Sequence, residues 1–205
     1  MTNRLFLAVS PPEVVRRRVR AALPSTELFP DGVRWTPPVR WHVTLRFLGD
    51  CEAPAVVAAM AGAELPTAEA VLGPGLGSFG RSVLHVPVHG LDELARTVTA
   101  ATTGLGQPPQ FDTFTGHLTI ARVRRGTRLA APARAALRSV EVAERFTVRC
   151  VELFDSRDGN GGPTYVQLAQ WSIPTVADPC WSDRCHNACS PSQSRRCWRC
   201  VSRVD

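Results

Sequence analysis

The chain contains the pattern His-apolar-Thr-apolar twice, at residues 42–45 and again at residues 117–120. Residues i and i+2 of an extended strand point to the same face. Each copy therefore predicts a strand with an imidazole and a hydroxyl side by side and two apolar side chains on the opposite face. Two such strands facing one another would enclose a cleft with two histidines and two threonines. The repeat predicts two similar halves around a shared cleft.

Strands and helices are predicted to alternate around the two copies, which favours an α+β fold of two lobes. Strands are predicted at residues 4–9, 42–47, 83–89, 117–123, 147–154 and 164–170. Helices are predicted from Ser10, through a capping box with Glu13, and at residues 53–63, 91–101 and 130–137. Residues 24–40 are predicted to be irregular. Because no Gly-x-Gly-x-x-Gly or Walker pattern follows a strand, neither a dinucleotide nor a nucleoside triphosphate site is indicated.

The mildly basic charge balance is compatible with a phosphate-bearing partner, although surplus charge is often only a solvated surface. All 24 basic residues are arginines, which against 18 acidic residues gives a net charge of +6. A guanidinium donates two parallel hydrogen bonds to a phosphate, so arginine suits this partner. No apolar run approaches the roughly 18 residues that span a bilayer, and the amino-terminal apolar run is too short for a signal peptide. We therefore expect a cytoplasmic protein that does not enter a membrane.

The cysteines divide the chain into two parts. Only Cys51 and Cys150 precede residue 175, which indicates a reduced domain over residues 1–174. Residues 175–205 are rich in Cys, Arg and Ser without periodicity, and we predict a disordered tail outside the fold. An alternative is a zinc-dependent interaction module that uses the C-x-x-C pair and its neighbours, Cys185, His186, Cys189, Cys197 and Cys200.

The two histidines are suited to acid–base chemistry on a phosphodiester. Hydrolysis needs one group that takes a proton from water and another that gives a proton to the leaving oxygen. An imidazole with a pKa near 6.5 can do either at neutral pH, so His42 and His117 form a candidate pair. The hydroxyls of Thr44 and Thr119 could bind the phosphate oxygens between them. The other histidines lie in no such pattern and are predicted to be structural or solvated.

The two motifs resemble the signatures of the 2H phosphoesterase superfamily. The segments that carry the resemblance are His42-Val-Thr-Leu-Arg-Phe-Leu-Gly49 and His117-Leu-Thr-Ile-Ala-Arg122, supported by residues 4–9, 35–41 and 162–165. They are most similar to the bacterial RNA 2',3'-cyclic phosphodiesterase branch, also called 2'-5' RNA ligases. The resemblance covers about residues 3–174. It implies a bilobal α+β fold with a quasi-twofold axis, antiparallel sheets around a central cleft and helices outside.

The resemblance also implies an activity without a metal or other cofactor. His42 would be the proton donor to the leaving ribose oxygen, and His117 the proton acceptor that activates water. The substrate would be an RNA end or a nucleotide bearing a 2',3'-cyclic phosphate, and the product a 2'-phosphate. We expect a monomer. The sequence leaves open the physiological RNA and the relevance of ligation, the reverse reaction.

Four residues are predicted to bind the phosphate: Thr44, Thr119, Arg122 and Arg46. Arg122 matches an arginine that the family often places near the phosphate. Strict alternation points it away from His117, so its role requires the strand to end or bulge there. Arg46 shares the face of His42 and Thr44 by alternation, although the family pattern does not fix that position.

A binding protein without catalysis is the main rival hypothesis. The same cleft could grip a phosphate at an RNA end without turning it over, and such binding would be sensitive to salt and survive loss of either histidine. The presence of both histidines and both threonines favours the enzyme, because a pure binder has no need of two titrating groups.

Overall fold

The structure is a computed structural model, and it describes residues 4–109, 113–159 and 162–174. The strands are β1 (Leu5–Val9), β2 (Val33–Trp35), β3 (Val43–Gly49), β4 (Glu69–Leu72), β5 (Gly77–Phe79), β6 (Val83–His89), β7 (His117–Val123), β8 (Glu144–Thr147), β9 (Cys150–Arg157) and β10 (Thr164–Ser172). The helices are α1 (Glu13–Ala22), α2 (Ala53–Ala61), α3 (Asp92–Ala101) and α4 (Ala131–Arg138). The predicted tail and its zinc-binding alternative lie outside the described residues.

Each copy of the repeated motif belongs to a different antiparallel sheet. One sheet has the strand order β10-β9-β1-β3, and its edge strand β3 carries the first motif. The other has the order β2-β7-β6-β4-β8, with β5 paired to β6, and β7 carries the second motif. In both sheets the motif strand pairs antiparallel with a neighbour, β3 with the fully buried β1 and β7 with the partly buried β6. The predicted α+β fold of two lobes is confirmed.

One hydrophobic core joins the two sheets. Leu7, Val43 and Leu153 of the first sheet belong to the same cluster of buried side chains as Leu118 and Ile120 of the second. The apolar second and fourth positions of both motifs lie in this core, so the histidine and threonine of each motif face away from it. Burial of the apolar residues of both motifs in this core therefore holds the two motif strands in a fixed relative position.

The helices cover the sheets across the two halves. α1 follows β1 of the first sheet but contacts β8 of the second, through a stripe that buries Val15 and Val19. α3 follows β6 of the second sheet but contacts β3 of the first. None of the helices in the described ranges has the length and apolar character needed to cross a membrane. Because α1 and α3 each pack on the sheet of the other half, the helices connect the two lobes in addition to the shared core.

The predicted start of α1 is wrong. The helix begins at Glu13 after Pro12, and no side chain caps it. Pro12 has extended backbone angles, so the first helical turn starts two residues later than predicted. The hydroxyl of Ser10 donates instead to the carboxylate of Glu152 on β9.

Four short strands were not predicted. These are β2, β4, β5 and β8, each of three or four residues. Segments of this length carry too few alternations to be recognised, and β2 and β8 pair with strands that lie far away in sequence. β2 falls within residues 24–40, which were predicted to be irregular. β2 pairs with β7, the strand that carries the second motif.

Replacing Leu153 with alanine is expected to destabilise the protein by about 2–5 kcal/mol, because it leaves a cavity in the shared core. Leu153 is fully buried, whereas Leu168 on the neighbouring strand β10 is 41% exposed and serves as the control. The Leu168→Ala change is expected to alter the free energy of unfolding by about 0.5 kcal/mol or less. Denaturant unfolding of the two variants measures the difference, and equal losses would contradict the assignment of the core.

Candidate active site

The two motif strands line one cleft between the sheets. β3 and β7 contact each other, and the histidines and threonines of both motifs face the same cavity of about 220 Å³. A water molecule takes about 30 Å³ in the liquid, so this space holds a phosphate with its immediate substituents. The other residues that line the cleft are Arg34, Trp35, Thr36, Pro37, Arg40, Arg122, Gly162, Pro163 and Tyr165.

A backbone carbonyl holds each motif histidine in the same way. Nδ1 of His42 lies 2.9 Å from the carbonyl oxygen of Arg40, and Nδ1 of His117 lies 2.9 Å from that of Thr115. A carbonyl can only accept, so Nδ1 carries the hydrogen in both rings. This bond fixes the tautomer and leaves Nε2 of each imidazole as the nitrogen available for proton transfer.

Aromatic rings from its own sheet surround His42. Its ring centroid lies 4.9 Å from that of Phe6 and 4.9 Å from that of Tyr165, which meets it edge-on. Burial among these groups lowers the pKa of His42, because the charged imidazolium loses its hydration. The nearby positive charges of His117 and Arg122 lower this pKa further, and the bond to Arg40 raises it. The free protein therefore favours a neutral His42.

His117 has a different set of neighbours. Its ring meets Phe79 edge-on at 4.8 Å and His85 at 5.6 Å. His85 is buried and stacks on Phe79 with ring centroids 4.2 Å apart, so it supports the side of the cleft that carries His117. Burial lowers the pKa of His85 and the charge of His117 lowers it further, which keeps this ring neutral. The prediction that His85 is structural agrees with this packing.

Both motif strands contain a β-bulge at the same position. In the pairing of β1 with β3, Leu7 lies opposite Arg46 and Ala8 opposite Thr44, which leaves Leu45 as the extra residue. In the pairing of β6 with β7, Ile120 is extra in the same way. Each bulge falls three residues after the motif histidine. It reverses the alternation beyond that point, so the residue at the fifth position after the histidine takes the cleft side.

The bulge decides which predicted arginine reaches the cleft. Arg122 is the fifth residue after His117, and it lines the cleft together with His117 and Thr119. Arg46 is the fourth residue after His42, and the bulge turns it to the other face. It is buried, and its guanidinium donates to the carbonyl oxygens of Leu105 and Gln107. The prediction that Arg46 binds phosphate is therefore wrong, because its donors hold the loop after α3.

Four polar residues of the cleft were not predicted as site residues: Arg34, Thr36, Arg40 and Tyr165. Arg34 lies on the unpredicted strand β2, directly opposite Arg122 of β7. Tyr165 is the single tyrosine of the chain, and its segment carries the family resemblance without a predicted role in the site. Burial raises the pKa of Tyr165 above its ordinary value, and the nearby arginines partly offset this, so its hydroxyl stays protonated at neutral pH.

A metal centre is not formed by the residues of the described ranges. No group of three or more His, Cys, Asp or Glu side chains in residues 4–109, 113–159 and 162–174 could hold a metal ion together. The donors that face the cleft are imidazoles, hydroxyls and guanidiniums. Hydroxyls and guanidiniums donate to phosphate oxygens, so this donor set suits an anion.

A comparison with protein families matches residues 10–160 to the 2'-5' RNA ligase superfamily. The matched range includes both motifs and both bulges. No curated protein sequence matches the chain.

Solved structures of similar fold cover most of the chain. TT0787 of Thermus thermophilus is 28% identical, with a TM-score of 0.68 over 83% of this chain and 97% of that protein. LigT of Escherichia coli, crystallised with 3'-AMP, is 22% identical, with a TM-score of 0.61 over 85% of this chain and all of that protein. These similarities agree with the two-lobed fold described above.

Replacing Arg122 with glutamine is expected to raise the pKa of His42, because the guanidinium is one of two positive neighbours that lower it. NMR titration of the His42 side chain measures this pKa in the wild type and the variant. The matched control is Arg124→Gln, which removes an equal charge from an exposed residue that does not line the cleft. An identical pKa of His42 in both variants would contradict the coupling between Arg122 and His42.

Proposed function

The chain belongs to the 2'-5' RNA ligase superfamily, and we propose that it hydrolyses the 2',3'-cyclic phosphate at RNA ends to a 2'-phosphate. The observation that carries this proposal is the pair of histidines at one cleft, each with Nδ1 fixed by a carbonyl and Nε2 left for proton transfer. A protein that only bound phosphate would need neither the shared tautomer nor two titrating groups.

The proposed reaction is an in-line attack of water on the cyclic phosphate. Nε2 of His117 takes a proton from the water as its oxygen forms a bond to phosphorus. The bond from phosphorus to the ribose 3'-oxygen breaks, and Nε2 of His42 gives its proton to that oxygen. His117 gains one proton and His42 loses one, so the net charge of the pair does not change. Proton exchange with water then returns both histidines to their starting states.

The remaining cleft residues bind the charge that develops on the phosphate. The hydroxyls of Thr44 and Thr119 can donate to its two non-bridging oxygens from opposite sides, since one lies on each motif strand. The guanidinium of Arg122 adds a charge-assisted hydrogen bond from the β7 side. The Escherichia coli relative was crystallised with 3'-AMP, a ribonucleotide that carries a phosphate on its ribose ring.

The protonation of His42 depends on the substrate in this mechanism. The donor role requires a charged imidazolium, and burial opposes that charge in the free protein. A bound phosphate brings a negative charge next to the ring and raises the pKa of His42. Binding of the substrate therefore prepares the acid that the reaction needs.

Replacing either His42 or His117 with alanine is expected to lower the turnover rate by about 10²–10⁴-fold, because each change removes one proton-transfer group. The assay follows an oligoribonucleotide that ends in a 2',3'-cyclic phosphate, with EDTA present, and identifies the 2'-phosphate product. The control is His89→Ala, which alters an exposed histidine that does not line the cleft. If the wild type shows no turnover and all variants still bind the oligoribonucleotide tightly, the result would reject the enzyme and support the RNA-end binding protein.

The rate of hydrolysis is expected to depend on pH as a bell-shaped curve, since one imidazole must be protonated and the other neutral. The curve of kcat/KM reports the free protein, and that of kcat reports the substrate complex. The bound anion raises the pKa of His42, so the maximum of kcat is expected at a higher pH than that of kcat/KM. Initial rates from about pH 4.5 to 9 span the titration of an imidazole and measure both curves. A shift toward lower pH would count against this mechanism.

A further inference from the structure

Three arginines stand along one side of the cleft. Arg122 lies on β7, Arg34 lies directly opposite it on β2, and Arg40 precedes the first motif. One Nη1 atom each of Arg34 and Arg40 lies 3.7 Å from the point that a Cβ on Gly162 would occupy. The two Nη1 atoms are therefore no more than twice that distance apart, beside the backbone of Gly162.

No carboxylate of the described ranges neutralises these three arginines. The ion pairs found there involve other arginines, such as Arg18 with Glu144 and Arg157 with Asp155. Like charges directly opposite on neighbouring strands repel one another and destabilise a sheet. A bound anion would remove this repulsion, so the arrangement of Arg34 and Arg122 indicates a ligand with negative charge.

The reacting phosphate does not account for all three arginines. A cyclic phosphodiester carries a single negative charge, and Arg122 with the two threonines and the protonated histidine already faces it. Arg34 and Arg40 then add two positive charges beside the one anion. We infer that Arg34 and Arg40 form a second anion subsite, which binds a second phosphate next to the reacting one.

This inference rests on the proposed function and narrows its substrate class. In an RNA chain the 5'-oxygen of the last ribose carries the phosphodiester that joins it to the preceding nucleotide. A mononucleotide 2',3'-cyclic phosphate with a free 5'-hydroxyl lacks that charge. The second subsite therefore selects the end of an oligoribonucleotide over a small cyclic nucleotide.

The test compares two dinucleotides that end in a 2',3'-cyclic phosphate and differ only in their internal linkage. One has a natural phosphodiester, and the other has a methylphosphonate, which keeps the shape and removes the charge. For the wild type, kcat/KM is expected to be about tenfold higher for the charged dinucleotide, as for one charge-assisted hydrogen bond. The Arg34→Gln and Arg40→Gln variants are expected to bring this ratio toward one.

Two further variants serve as comparisons. Arg122→Gln is expected to lower kcat/KM for both dinucleotides and keep their ratio, because it acts on the reacting phosphate. Arg124→Gln removes a charge outside the cleft and is expected to leave the ratio at the wild-type value. An increase in salt should weaken binding of the charged dinucleotide more steeply than binding of the neutral one.

The outcomes separate this inference from the proposed function. Hydrolysis of both dinucleotides at equal rates by the wild type would overturn the second subsite and leave the phosphodiesterase intact. Absence of hydrolysis would overturn the phosphodiesterase. Fluorescence anisotropy with the same pair would then decide on the subsite: tighter binding of the charged dinucleotide that Arg34→Gln abolishes supports it, and equal binding rejects it.

Discussion

The cleft depends on the hydrophobic core that the two sheets share. Leu118 and Ile120 alternate with His117 and Thr119, and Val43 and Leu45 alternate with His42 and Thr44, so burial of one set orients the other. Both apolar sets pack in the same core. A shift of either motif strand would therefore expose apolar side chains of the other strand to water. The separation of the two imidazoles is thus set by packing and needs no direct bond between them.

The paired bulges add a detail that alternation alone does not provide. One extra residue, Leu45 in β3 and Ile120 in β7, reverses the pattern at the same place in both halves. In β7 this brings Arg122 to the cleft, whereas in β3 it buries Arg46 under the loop after α3. The two halves therefore share this bulge, although β3 has a second register shift near Leu48 and the two strands present different side chains.

The sequence predicted those features that depend on local pattern. The strands that carry the motifs follow from alternation. The position of His42, Thr44, His117 and Thr119 in one cleft follows from the repetition of the motif. It could not predict the bulges, since these depend on the pairing of β3 with β1 and of β7 with β6. Arg34 was missed for the same reason, because β2 has three residues and is defined by its pairing with β7.

The two halves surround their histidines with different side chains. The side of His42 is aromatic and buried, with Phe6 and Tyr165 against the ring, whereas the side of His117 carries Arg34 and Arg122 on adjacent strands. Arg122 nevertheless lies close enough to His42 to lower its pKa, so an anion bound to Arg122 would offset that charge and favour protonation of His42. In the proposed reaction, protonation of His42 is therefore coupled to occupation of the cleft, and this coupling would let two copies of one motif take opposite roles in proton transfer.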